Sequence, residues 1–368
     1  MKILKTCGKI GLILIVALLI ILLAAYLFIT FYPAFGDTPG KAKREEYEKR
    51  TQRFFDKAFH NELDFEVMTG TPSEKSERAE PEERIKVEKI DSVERAEEDQ
   101  LKVIWLGHSS SLVQMGDQNI FIDPVLSERA SPVGFAGPKR FSDLALEREN
   151  VPDIDVLYIS HDHYDHLDYE TIRDIDSKVA NYVVPLGIDV ILQGWGVGKE
   201  KLHPLDWWES VEISGVTYTV VPSLHYTGRN PLKMNATSWG GLYIKNEHHS
   251  VYYTGDSGYY DVFRQVYERF GETELMLADS GQYDVGWATT HMFPEQSVQA
   301  AKEAHAKWLI PVHWGAFSLS NHAWDEPPRL VVNAAEEQGV NLATPRIGVT
   351  VDYEKIESFQ EHWWEDYK

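Results

Sequence analysis

Residues 161–168 read His161-Asp162-His163-Tyr164-Asp165-His166-Leu167-Asp168. Three imidazoles interleaved with carboxylates inside six positions are donors suited to zinc, iron or manganese. A packed core gains nothing from three neighbouring imidazoles, because each buried polar ring needs its own partner. The apolar run 155–160 just before them reads as a strand, so the cluster sits on a loop at a strand's carboxyl end.

Outward from this cluster, the chain beyond Leu101 alternates short apolar runs with Gly, Asp and Asn. Runs 102–106, 119–123, 179–184, 216–221, 250–254, 275–278 and 308–312 read as further strands, and 169–174, 262–270 and 294–305 as helices. Many strands with helices between them imply an α/β sandwich built on sheets. His225, Asp256 and His313 each follow the end of one of these strands. A lone histidine is usually a surface or hydrogen-bonded core residue. Four strands that each end on a His or Asp are instead a way to preorganise a metal centre on rigid supports.

Composition narrows the partners. The 368 residues carry 58 acidic and 36 basic side chains, a formal net charge of −22. This excludes a general nucleic-acid binder, which needs a basic face, and broad adhesion to anionic lipid. Bound cations would still make one site locally positive. Cys7 is the only cysteine, so no intrachain disulfide forms and no thiolate is expected at the metal site.

Positions 10–32 are apolar and uncharged. At 1.5 Å per residue they reach ~34 Å, enough to cross a bilayer core. The competing reading is a cleaved signal peptide, whose apolar region is ~7–15 residues and ends at a small-x-small site. This run is longer and ends in Thr30-Phe31-Tyr32-Pro33, with aromatics where interfacial belts form. Residues 1–36 are therefore expected to be an uncleaved, single-pass anchor. Lys2, Lys5 and Lys9 precede it, whereas Lys41, Lys43 and Arg44 are mixed with Glu45 and Glu46. That asymmetry puts the amino end in the cytoplasm and the globular part on the extracytoplasmic side. Residues 37–100 read as a charged linker. Tyr47, Phe54, Phe55 and Phe59 mark an amphipathic helix over 44–59, and 70–100 reads as solvated. Residues 101–368 form the catalytic domain.

The run His161-x-His163-x-Asp165-His166, followed by His225, Asp256 and His313, resembles the metallo-β-lactamase superfamily over about Leu101 to Tyr353. Segments 105–111, 123–132, 137–141, 254–259 and 313–317, with Glu326-Pro327-Pro328, resemble one branch of it. That branch holds the N-acylphosphatidylethanolamine-hydrolysing phospholipase D and its bacterial relatives. The resemblance implies a four-layer αββα sandwich with a dinuclear site at one edge of the paired sheets. It implies that His161, His163 and His225 hold one divalent ion, that Asp165, His166 and His313 hold the other, and that Asp256 bridges them. Zinc is the expected metal, with iron or manganese as alternatives.

The implied activity is phosphodiester hydrolysis of N-acylphosphatidylethanolamine-like lipid by metal-activated water, since bound metal lowers the pKa of water toward ~7. Asp165, through its metal, and His291, as a proton donor or phosphoryl-oxygen contact, are the candidate catalytic residues. The competing reading for His291 is a surface residue at a helix entry. His108 is expected to brace a loop, and Asp123 to hydrogen-bond a ligand histidine. Lys139 and Arg140 are candidate phosphate contacts. Segment 279–284 is more polar than the branch implies, and with 70–100 it borders the expected substrate mouth. A lactone or other ester hydrolase, and a non-catalytic metal-binding or regulatory protein, are the alternative functions.

Overall fold

The computed structural model describes Lys2–Tyr367, and side chains from Lys9 onward. In chain order the elements are α1 (Lys2–Phe31), α2 (Lys41–Arg50), β1 (Phe54–Phe55), β2 (Ala58–Phe59), β3 (Leu101–Trp105), β4 (Ser111–Met115), β5 (Gln118–Ile122) and β6 (Ile154–Tyr158). Then come α3 (Tyr169–Ile175), β7 (Val179–Pro185), α4 (Ile188–Gly194), β8 (Leu202–Leu205), β9 (Ser210–Ile213), β10 (Val216–Val221), β11 (Gly241–Lys245) and β12 (Ser250–Tyr253). The chain ends with α5 (Val262–Phe270), β13 (Thr273–Asp279), α6 (Pro294–Glu303), β14 (Ala306–Val312), α7 (Glu326–Gln338) and β15 (Thr350–Asp352).

Two sheets form the frame, ordered β15-β3-β4-β5-β6-β7-β8 and β14-β13-β12-β11-β10-β9. Side-chain alternation decides what each face covers. On β12 and β13, Val251, Tyr253, Leu275 and Leu277 join the core shared with the first sheet. Tyr252, Met276 and Ala278 point the other way, into a second core with α5, α6 and α7. On the far side, Ile172, Ile175, Ile188 and Leu192 of α3 and α4 cover the first sheet. The result is the expected four-layer αββα sandwich.

Strands β5 to β8 run parallel, as do β12 to β14. Strand β10 points the same way as β12, because each is antiparallel to β11. The carboxyl ends of β5, β6, β10, β12, β13 and β14 therefore deliver their following residues as loops. Parallel sheets place ligand sites at such ends.

Helix α1 contains a 23-residue segment, Lys9–Phe31, long and apolar enough to cross a membrane, and none of that apolar window is buried in the protein. Leu14, Ile20 and Ile21 are among its exposed side chains. By length and composition this unburied apolar helix meets the requirements of a membrane span.

The 37–100 region departs from the sequence reading. The helix expected over 44–59 stops at Arg50, where Thr51 turns extended. Phe54–Phe55 and Ala58–Phe59 pair instead as a hairpin. Its turn residues Asp56 and Lys57 both take positive φ, 51° and 68°, the geometry of a type I′ turn. Tyr47, Phe54 and Phe59 still cluster, with ring centroids 4.8–5.4 Å apart. Nor is 70–100 a solvated linker. Ile85 is fully buried, and single parallel bridges join it to Ser142 and Ile90 to Leu146. Arg78, Arg84 and Arg95 pair with Asp325, Asp143 and Asp155 of the domain. The charges that read as solvent-facing find carboxylates on the surface beneath, so the segment is a strap.

Candidate metal centre

His161, His163 and His225 bring one nitrogen each to a common point. His161 Nε2 is 2.9 Å from His163 Nδ1, which is 3.4 Å from His225 Nε2. Asp256 Oδ2 lies 3.7 Å from His161 Nε2 and 3.8 Å from His225 Nε2. A second group adjoins it. His166 Nε2 is 3.3 Å from Asp165 Oδ2 and 3.0 Å from Asp256 Oδ2, and His313 Nδ1 is 3.3 Å from Asp256 Oδ1. The Asp256 carboxylate thus stands between the two groups. A tetrahedral ion with bonds of ~2.0–2.1 Å keeps its donors ~3.3–3.4 Å apart. These separations bracket that value, so the donor set fits divalent metal.

On His161, His225 and His166 the ring nitrogen facing away from the centre is occupied. His161 Nδ1 contacts Ser160 Oγ at 2.9 Å, His225 Nδ1 donates to Thr290 O at 3.1 Å, and His166 Nδ1 donates to Asp123 Oδ2 at 2.7 Å. Such outer contacts orient a ligating imidazole. By contrast, His166 Nε2 and Asp256 Oδ1 are buried without a hydrogen-bond partner. A buried orphan polar atom is costly, and a metal ion at the centre would satisfy both.

Electrostatics follow from burial and neighbours. Burial drives His161, His225 and His313 well below the ordinary imidazole pKa and lowers His163, leaving neutral rings with a free lone pair. For His166 burial acts the same way, but Asp256, Asp165 and Asp123 outweigh it and raise the pKa well above normal. Burial opposes ionisation of Asp165 and Asp256, yet the adjacent imidazoles, His166 foremost, hold both below the usual carboxylate range.

Backbone strain concentrates here. His108, Asp123 and His313 take positive φ of 53°, 41° and 70°, each costing a non-glycine residue about 1–3 kcal/mol. His108 braces the His313 loop, donating from its N–H to Trp314 O and accepting from His313 N–H. Its side chain goes further than expected, placing Nε2 2.9 Å from Asp165 Oδ2. Arg140 is not a free phosphate contact. It is buried, donates to Val125 O and Ser127 O, and stacks on Phe317.

Above the centre lies a cavity of about 260 Å³ lined by His163, Asp165, Asp256, His291 and His313. Its other wall is largely apolar: Val67, Met68, Tyr226, Trp287 and Leu319. His291 stacks on His313 with ring centroids 5.1 Å apart, so it belongs to the site and not to the outer surface of α6. Its Nδ1 is 2.9 Å from Asp279 Oδ2. Burial pushes the Asp279 carboxyl up to about 7. His291 is raised, because Asp279 outweighs the opposing effect of burial.

A family model described as a beta-lactamase superfamily domain matches residues 118–314. The chain belongs to the metallo-β-lactamase superfamily. It is 36% identical over 265 residues to an uncharacterized protein of Mycobacterium tuberculosis, spanning 71% of each chain. It is 32% identical over 237 residues to N-acyl-phosphatidylethanolamine-hydrolyzing phospholipase D 1 of Caenorhabditis elegans, spanning 61% of this chain and 67% of that protein. A possible metal-dependent hydrolase from Veillonella parvula shares the fold, with a TM-score of 0.55 at 18% identity, over 69% of this chain and 99% of that one. Within the superfamily the chain is a metal-dependent hydrolase of the branch that includes these phospholipases.

Sequence reasoning missed Asp279. Its signal was the one that found the other donors, a carboxylate at a strand's carboxyl end. Segment 279–284 does border the mouth, through Gln282, whereas the other expected wall is supplied by Val67 and Met68, ahead of the 70–100 strap. Thr69 N–H donates to Gly286 O, Thr289 Oγ1 donates to Glu66 O, and Asn61 donates to His225 O. These bonds fix that wall over the site.

Proposed function

We propose that the chain is a membrane-anchored phosphodiesterase of the phospholipase D type, acting on N-acylphosphatidylethanolamine-like lipid through a dinuclear zinc centre. His161, His163 and His225 would hold one ion, Asp165, His166 and His313 the other, and Asp256 both. The position of the Asp256 carboxylate between the two donor groups carries this reading. Bound divalent cations would acidify water and draw charge from the phosphoryl oxygens.

The chain's own residues supply the rest. The apolar wall of Val67, Met68, Trp287 and Leu319 excludes water and accepts acyl or glycerol carbons. His291, held at Nδ1 by Asp279, keeps its other nitrogen for the cavity and carries a proton. As water's oxygen bonds to phosphorus and the bond from phosphorus to the ethanolamine-side oxygen breaks, His291 protonates that oxygen, the proton given up by the attacking water passes to solvent, and solvent reprotonates His291. Phosphatidic acid and an N-acylethanolamine result.

Helix α1 would hold the domain on the extracytoplasmic side, following the lysines before the span. The enzymatic alternative is a lactone or other ester hydrolase, because the same centre suits attack on a carbonyl carbon. The two separate on one assay. The purified full chain in lipid is given N-acylphosphatidylethanolamine beside a lactone panel. Release of N-acylethanolamine with lactones untouched supports the phosphodiesterase, and the reverse preference overturns it.

A further inference from the structure

The end of α1 is clamped to the domain. Trp195 Nε1 donates to Pro33 O at 2.8 Å, and the buried Arg229 donates from Nε to Ala34 O at 2.7 Å. Arg229 Nη1 also donates to Asp162 O and Leu167 O, within the loop that carries the histidine cluster. The exit of the apolar helix therefore has a fixed relation to the metal centre. Two loops with exposed apolar tips flank that exit.

The first tip is Pro231-Leu232-Lys233-Met234, exposed throughout, with Leu232 at 53% and Met234 at 50%. Leu232 and Lys233 line a cleft of about 520 Å³ together with Tyr26 and Thr30 of α1. Tyr26 lies six residues before Tyr32, ~9 Å back along the helix at 1.5 Å per residue. This loop thus reaches down beside the apolar segment rather than ending where the helix ends.

The second tip is Phe135, 83% exposed. Its neighbours Val133 and Gly134 line a cleft of about 150 Å³ with Tyr32 and Ala34. Arg129 closes the turn, donating to Gly134 O and Gly137 O. Gly137 has a φ of +95°, and a Cβ there would lie 2.6 Å from Ser131 Cβ. The turn is a built feature that holds a phenyl ring away from the domain. Lys233, Arg129 and Lys139 sit beside the two tips, where long cationic side chains reach headgroups while apolar neighbours enter the acyl boundary.

We propose that the Phe135 tip and the Leu232–Met234 tip insert into the interface of the bilayer that α1 crosses. They form a second, shallow attachment that sets the tilt of the domain. The proposal rests on the reading of α1 as a membrane span. The occupant is lipid because residues of both tips line clefts with the carboxyl end of the apolar segment, where a membrane-spanning α1 would leave the hydrocarbon. The consequence for the reaction is positional. Thr227 and Asn235 exchange hydrogen bonds at the base of the first tip, and Tyr226 beside them lines the catalytic cavity. Seating the tip in the interface would turn the cavity mouth toward the layer that holds a phospholipid's phosphodiester.

The test uses the full chain in phosphatidylcholine nanodiscs, with Cys7→Ser as background. A polarity-sensitive fluorophore is attached in separate variants at Val16→Cys, Leu232→Cys, Phe135→Cys and Glu247→Cys. Glu247 is exposed on the β11–β12 turn, at the opposite end of the strands from the metal centre. Each is read for blue shift and for quenching by lipids spin-labelled near the headgroup or deep in the acyl chain. We expect deep quenching at 16, shallow quenching with a blue shift at 232 and 135, and neither at 247. Quenching at 16 with water-like, unquenched emission at 232 and 135 overturns this proposal and leaves the anchor standing. A blue shift at 232 and 135 without lipid quenching means protein covers the tips, and also overturns it. Absence of quenching at 16 overturns the anchor itself.

Discussion

His166 Nδ1 lies 2.7 Å from Asp123 Oδ2, and both side chains are fully buried. The same carboxylate accepts hydrogen bonds from Ser160 N–H and Oγ and from Tyr253 OH. Asp123 follows β5, His166 follows β6 and Tyr253 ends β12, so this one carboxylate ties the two sheets together behind the metal site. It does not line the catalytic cavity, and it directs the orphan Nε2 of His166 at the centre. Removing its charge frees the ring. Asp123→Asn is expected to weaken divalent metal binding ~10–100-fold, read by competition against a chromophoric chelator. Unchanged affinity would mean that His166 is not held for ligation.

Loading metal should release protons. In the metal-free protein His166 is expected to hold its proton at neutral pH, because Asp256, Asp165 and Asp123 outweigh burial and raise its pKa well above the imidazole norm. His161, His163, His225 and His313 are lowered and already neutral. Ligation needs neutral imidazole, so filling the site at pH 7 is expected to expel about one proton from His166, in addition to any that metal-acidified water gives up. Titration calorimetry in buffers of differing ionisation enthalpy measures it. Zero proton release contradicts the assignment of His166.

The Asp279–His291 pair predicts a pH profile. In the proposed role His291 would act in its protonated form, so the rate should fall as pH rises through its pKa. Asp279 raises that pKa, and Asp279→Asn should move the alkaline fall to lower pH while metal content stays constant. His291→Gln should lower kcat by about 10²–10⁴-fold. An alkaline limb that ignores Asp279→Asn would remove His291 from proton transfer.

The strap predicts a stability effect. Ile85 is fully buried in the main core, and Ile85→Ala is expected to cost about 2–5 kcal/mol, read by denaturant unfolding of the purified protein. A solvated linker would show no loss.

How much of this was legible depended on which periodicity dominated each segment. Buried strands such as β6 and β12 are nearly continuous apolar runs, so their ends, and with them His161 and Asp256, stood out. Edge strand β9 alternates between exposed and half-buried residues, and β8 contains Pro204 with a half-buried His203; neither carried an apolar signal. The 44–59 aromatics looked helical because Tyr47, Phe54, Phe55 and Phe59 suit that spacing, but the Asp56-Lys57 turn took the left-handed conformation. The strap was read from its charge density alone, which does not reveal that Arg84 and Arg95 have carboxylate partners 44 to 60 positions along the chain. Arg140 failed for the converse reason, since its burial on Phe317 depends on tertiary contacts.

The central claim is a paired metal centre that cleaves a phosphodiester. Chelator-stripped full-length protein in lipid, titrated with zinc while N-acylphosphatidylethanolamine hydrolysis is followed, tests it most directly. Activity should be absent without metal and reach its plateau at two equivalents per chain, with Asp256→Ala binding less metal and remaining inactive. Full activity in stripped protein, or a plateau at one equivalent, would contradict it.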